Sequence, residues 1–241
     1  LQKSTTEFEG IADFPTSSKA YVAIDDKIIR FRTEDAIDDK MADDARRKID
    51  TRYGKLMTDY GYSLFRKSVW DEGAINNLLS SMNHLAADRL SNGEQAVGSD
   101  FIASSKDING IVSKYHEALA LSRSAGYTSA SDAAAKIQKA KNYAGMEYLK
   151  NNASLVSALN AMPKRLADAH YNHVKSVVSS LNGYRSTSRD HFVNTLVPRA
   201  DQAIKEYKNA TVYGSNKQSI AAVEQQAVDI VDRALDFYDG Y

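Results

Sequence analysis

The sequence predicts an all-α fold, an antiparallel helical bundle of about eight helices, and three observations carry that prediction. Ile37, Met41, Ala45, Ile49, Tyr53, Leu56, Tyr60 and Leu64 are spaced by four residues, once by three, and so lie along one side of a helix. Only 3 prolines and 12 glycines punctuate 241 residues, too few for the turns of a sandwich or barrel. Short polar turns separate further apolar-periodic stretches, the habit of helices that fold back on their neighbours.

Residues 1–19 are polar and unpatterned at the start, and read as a flexible N-terminal tether to a helical domain over 20–241. The segment Ala20 to Arg32 is the one stretch with a β signature. Tyr21-Val22-Ala23-Ile24 and Lys27-Ile28-Ile29-Arg30-Phe31 flank Asp25-Asp26, which suits a small N-terminal β-hairpin; another turn of helix is the competing reading. Thr33 stands where an N-cap belongs for the helix bearing the ladder, with acids leading and bases following along its solvated face. Gly54 and Gly61 interrupt that helix, marking either a kink or the close approach of a neighbour.

Ile75, Leu78, Leu79, Met82 and Leu85 define the next helix, with a stop at Ser91-Asn92-Gly93. After a loop to Gly98, Ser99 caps a helix with Ile108, Ile111, Val112, Tyr115 and Leu119 inward. Ser122 to Thr128 is a turn, and the domain could subdivide near 122–130. Ser129 or Ser131 starts an alanine-rich helix through Ile137, Ala140, Ala144 and Tyr148. A short apolar stretch over 153–162 precedes Pro163, which suits the first turn of a helix carrying Leu166, His170, Val174, Val177 and Leu181. Phe192, Leu196, Ile204 and Tyr207 belong to a helix that Pro198 kinks or restarts and Gly214 ends. The last helix begins near Ser215-Asn216 and holds Ile220, Val223, Ile230 and Leu235.

Composition narrows the function. Lys+Arg and Asp+Glu are 31 each, and nucleic-acid binding, which draws on a basic excess, is set aside. With no cysteine, disulfides, thiolate nucleophiles and cysteine-ligated metals fall together. No run approaches the roughly 20 apolar residues of a membrane span. The chain opens at Leu1 rather than Met, as a processed or trimmed form does, and the expectation is an exported or surface-anchored bacterial protein, extracytoplasmic rather than cytoplasmic. Phosphate loops, HExxH, GxSxG and the Glu-x-x-His of di-iron bundles are all missing.

Two constellations remain. Tyrosine is over-represented, 14 against 7 Phe and one Trp, and Tyr60, Tyr62, Phe65, Arg66 and Trp70 crowd one region. Tyrosine combines contact area with a polar handle, so this cluster is the candidate binding patch for a protein or glycan partner; the alternative is the aromatic end of a helical core. His170 and His173 are i,i+3 neighbours able to share a metal ion. His191 sits roughly 12 Å from that level at ~1.5 Å per residue, too far to be a third ligand, so a seam histidine with one at its edge is the simpler reading. The function expected is a non-catalytic helical binding or scaffolding protein with no cofactor. Its rival is a metal- or small-molecule-dependent enzyme working near His170 and His173.

Overall fold

Asp13 opens the first long helix of this computed structural model, which describes residues 1–91 and 99–240. Its carboxylate accepts from the Thr16 N–H at 2.9 Å, and Pro15 occupies the first turn, where a missing N–H is harmless. Helix α2 then runs unbroken over Phe14–Thr33, preceded by α1 over Gln2–Glu9. The expected β-hairpin at 20–32 is therefore corrected to helix, and the described residues contain no strand. The physical reason lies in the four-residue spacing of Ile24 and Ile28, both buried, with buried Ser17 about two turns earlier on the same side. A seam buried against a neighbour outweighs the β preference of isolated Ile and Val side chains. Residues 1–19, expected as a tether, carry α1, which buries Phe8 at 1 % exposure.

The chain forms two compact units, Leu1–His116 with Glu147–Ser154, and Glu117–Met146 with Leu155–Tyr241. In the first, α2 and α3 (Asp39–Phe65) make an antiparallel pair. Arg32 meets Asp39 at 2.8 Å, Arg46 meets Asp25 at 3.0 Å, the Tyr21 hydroxyl donates to Asp50 at 2.7 Å and Tyr53 to Ser18 at 3.4 Å. Each step up one helix is matched by an equal step down the other. Asp38, not Thr33, caps α3, accepting from the Met41 N–H at 2.7 Å, while Thr33 ends α2. The start of the ladder accordingly lies outside the core, with Met41 at 51 % exposure, whereas Ala45, Ile49, Tyr53, Leu56 and Leu64 are buried.

Helices α4 (Glu72–Ser91) and α5 (Ser99–Arg123) complete the layer against α3. A Cβ on Gly54 would stand 2.8 Å from a ring carbon of Phe101, and one on Gly61 2.8 Å from Ile108 and 3.0 Å from Leu78. The two glycines are thus notches for close approach rather than kinks. Both pairs are separated by seven residues on each helix, so α3 and α5 run in the same direction. The Asn92-Gly93 stop, the loop to Gly98 and Tyr241 lie outside the described residues.

The strap at 147–154 crosses the end of α3. Asn151 donates its side-chain amide to the Phe65 carbonyl at 3.2 Å, the Ala153 N–H donates to the Ser68 carbonyl at 3.0 Å, and Leu149 is buried at 1 % exposure. A carbonyl orphaned at a helix C-terminus is here satisfied from 86 residues away.

In the second unit the last turns of α5 pair with α6 (Ala130–Gly145), which Ser129 caps by accepting from the Asp132 N–H at 3.1 Å. Tyr143 donates to Glu117 at 2.6 Å and Lys136 to the Ser124 carbonyl at 3.0 Å, again an antiparallel register. Helix α7 spans Ala153–Asn160, and α8 spans Met162–Ser180 with Pro163 in its first turn. The short α9 (Arg189–His191) leads through a π-helical turn over Phe192–Leu196 into α10 (Val197–Asn209). The irregularity immediately precedes Pro198, as expected of a residue that cannot donate into the helix ladder. Gly214, at φ 55° and ψ −132°, reverses the chain before α11 (Ala221–Asp239). Gln218 meets Asp168 at 2.8 Å near the start of α8, and Tyr238 donates to the Tyr184 carbonyl at 2.6 Å beyond its end, so α11 runs alongside α8 in the same sense. No helix among the described residues is long and apolar enough to cross a membrane.

Candidate functional site

The five residues of the aromatic patch do not stay together. Phe65 and Trp70 are buried at 0 % and 7 % exposure, with ring centroids 4.9 Å apart and Tyr115 5.0 Å beyond Trp70. They are core, and the Trp70 indole N–H meets no acceptor among the described residues. Tyr60 and Tyr62, two residues apart on a helix, must point to different sides. Tyr60 is half-buried against Phe14 at 5.4 Å. Arg66 is exposed, at the C-terminal end of α3.

Tyr62 faces the other way and acquires partners that the sequence reading missed. Its hydroxyl donates to Asp107 at 2.7 Å, and its ring stacks on Tyr148 at 5.6 Å with 25° between planes. Burial, reinforced by the hydrogen bond to the Asp107 carboxylate, pushes the phenol up to about 12. It is a neutral donor at any physiological pH. Both rings are half-buried, and Phe65 closes the cluster from inside, 6.1 Å from Tyr148.

The position of Tyr148 has a backbone cause. Helix α6 ends at Gly145, three residues short of where the periodicity carried it, and Tyr148 adopts φ 67° and ψ −50°. The Leu149 N–H bonds back to the Glu147 carbonyl at 2.9 Å, which closes a γ-turn around the tyrosine. A β-carbon in that region costs on the order of 1–3 kcal/mol, so the strap must hold the turn by its other anchors, Leu149, Asn151 and Ala153.

The histidines fall elsewhere, in the second unit. His170 is 1 % exposed, and its Nδ1 lies 3.0 Å from the Tyr213 hydroxyl while Nε2 has no partner among the described residues. Tyr127 and Tyr207 pack at 5.3 and 5.4 Å from its ring. Its neighbour His173 stacks on Tyr127 at 3.6 Å and 11°. Burial lowers both histidines below the ordinary imidazole value, helped at His173 by the Arg199 charge and opposed at both by Glu206. Among the described residues no group of three His, Asp or Glu side chains is arranged to hold a metal ion. His173 backs Tyr127, a residue that is 46 % exposed. Tyr127 sits in the polar turn before α6, and an aromatic placed among serines and glycine was the signal that could have singled it out.

No protein family, curated protein or solved structure matches the chain.

Proposed function

We propose that this protein is a non-catalytic binding module whose ligand is a saccharide, held on the Tyr62–Tyr148 platform. The observation that supports it is the half-exposed tyrosine pair itself, stacked at 5.6 Å and bordered by the Asp107 carboxylate. Sugars present an apolar face of C–H groups ringed by hydroxyls, and aromatic faces beside carboxylates and hydroxyls answer both features. Exposed Arg66 adds a donor near the end of the same helix. Strain at Tyr148 fits this reading, since unfavourable backbone tends to be retained where it positions a working group. On this reading the protein is expected outside the cytoplasm, bound to a surface or extracellular polysaccharide, and cell fractionation tests that.

Affinity electrophoresis through gels containing soluble polysaccharides, together with an oligosaccharide array, tests the function. Tyr148→Gly is the informative variant, because glycine accepts the γ-turn while the ring is lost. Its binding at the platform should fall on the order of tenfold with the thermal midpoint nearly unchanged. Trp70→Ala, in contrast, should cost about 3–5 kcal/mol of stability as a core truncation. Retention of every saccharide by Tyr148→Gly and Tyr62→Ala at wild-type strength would remove the platform from the function.

A further inference from the structure

We infer that the second unit carries a saccharide site of its own, in the recess between α10 and the turn that leads into α6, with Tyr127 as its stacking face. The ligand class rests on the saccharide reading above; the residues do not, since none is shared with the Tyr62–Tyr148 platform.

The recess holds about 410 Å³ and is lined by the polar residues Ser129, Gln202, Lys205, Glu206 and Asn209 together with two alanines. That volume falls within the range of small-ligand pockets and suits one or two sugar rings. Gln202, Glu206 and Asn209 recur at intervals of four and three along α10, so they share one face of the helix. Two of the three are amides, which donate and accept through one group, as vicinal sugar hydroxyls require. The Gln202 amide already donates to Glu206 at 3.1 Å, and Lys205 donates to Asp201 at 2.5 Å. Lys205 is taken up by Asp201, and the Glu206 carboxylate beside the Gln202 and Asn209 amides suits a neutral, hydroxyl-rich ligand better than an anion.

Tyr127 lies in the same turn, two residues before the lining residue Ser129, and is close enough to Glu206 to feel its charge. His173 covers one face of its ring at 3.6 Å, and His170 packs beneath at 5.3 Å. The ring is thereby held upright while 46 % of the residue stays exposed. An aromatic fixed before the ligand arrives loses little freedom on binding. His170 and His173, the residues of the rival metal-dependent reading, support the plate in this proposal.

The test uses the full-length Tyr148→Gly protein, in which the first platform is disabled, and an array of neutral mono- to tetrasaccharides with sulfated and phosphorylated counterparts. Residual binding of neutral saccharides is expected, and isothermal titration of the strongest array ligand should find two sites in the wild type and one in Tyr148→Gly. Gln202→Ala with Asn209→Ala, both at exposed helix positions, should weaken the residual binding on the order of tenfold, as should Tyr127→Ala. Wild-type binding that vanishes in Tyr148→Gly would overturn the second site and leave the platform standing. Wild-type binding untouched by Tyr148→Gly but lost in Gln202→Ala with Asn209→Ala would overturn the platform and leave the recess. Residual binding confined to the anionic probes would overturn the neutral-saccharide assignment, and no binding at all would overturn both sites.

Discussion

His170 concentrates several conflicts in one side chain. A buried imidazole has two nitrogens to satisfy, and among the described residues only Nδ1 finds a partner, the Tyr213 hydroxyl at 3.0 Å. His170→Phe should cost about 1–3 kcal/mol, because it leaves the Tyr213 hydroxyl buried with nothing to bond. Adding Tyr213→Phe should restore much of that loss, since removing both partners of a buried pair is often close to neutral; urea denaturation of the two variants and of Tyr213→Phe alone closes the cycle. The same residue sets a pH response. Burial holds His170 and His173 below the ordinary histidine value, so each folded imidazole refuses a proton that the unfolded chain accepts from about pH 6.5 downward. The urea midpoint should therefore fall between pH 7 and pH 5, and His170→Phe with Tyr213→Phe should flatten part of that fall. A midpoint independent of pH over this interval would show that neither histidine is held neutral by the fold.

Among elements, α3 carries the most information, and its glycines separate two roles of one residue type. Gly54 lies under the Phe101 ring, with 2.8 Å left for a β-carbon, whereas a β-carbon on Gly110 in the middle of α5 would meet no neighbouring element within 4 Å among the described residues. Alanine improves helix propensity by about 1 kcal/mol at either position. At Gly54 overpacking against a buried ring costs about 1–3 kcal/mol, so Gly54→Ala should be destabilising on balance. Gly110→Ala should raise the thermal midpoint. Opposite signs for one substitution in two packed helices would locate the notch, and equal signs would place α5 farther from α3. Much of this helix was legible beforehand, since the buried part of its ladder from Ala45 to Leu64 follows from four-residue spacing. Its cap at Asp38 and the exposure of Met41 were not, because Thr33 and Asp38 are both competent caps and only the packing of α2 decides which one is used. In α2 the error ran deeper. Two short runs rich in Ile and Val imitate strands when read locally, and Ile24 with Ile28 become a helical seam only once α3 lies beside them.

At the scale of the whole molecule, neither compact unit is a single stretch of chain. The first is completed by Glu147–Ser154, which supplies Tyr148 to the platform and Asn151 to the end of α3. A fragment of residues 1–116 should consequently melt at a lower temperature and less cooperatively than the full chain, followed by circular dichroism at 222 nm. An unchanged melt would mean that the strap adds no stability to this unit. The sequence by itself determined that the protein is helical, where most apolar seams run, and that Pro163 and Pro198 mark a helix start and an irregularity, because these depend on spacings within a few residues. Only the tertiary structure decided that Phe65 and Trp70 are core while Tyr62 meets Tyr148 and Asp107, and that His173 supports Tyr127. Those outcomes depend on residues 45 or more positions apart in all but the first case, and periodicity reports which side of a helix a residue occupies, not what arrives to cover it.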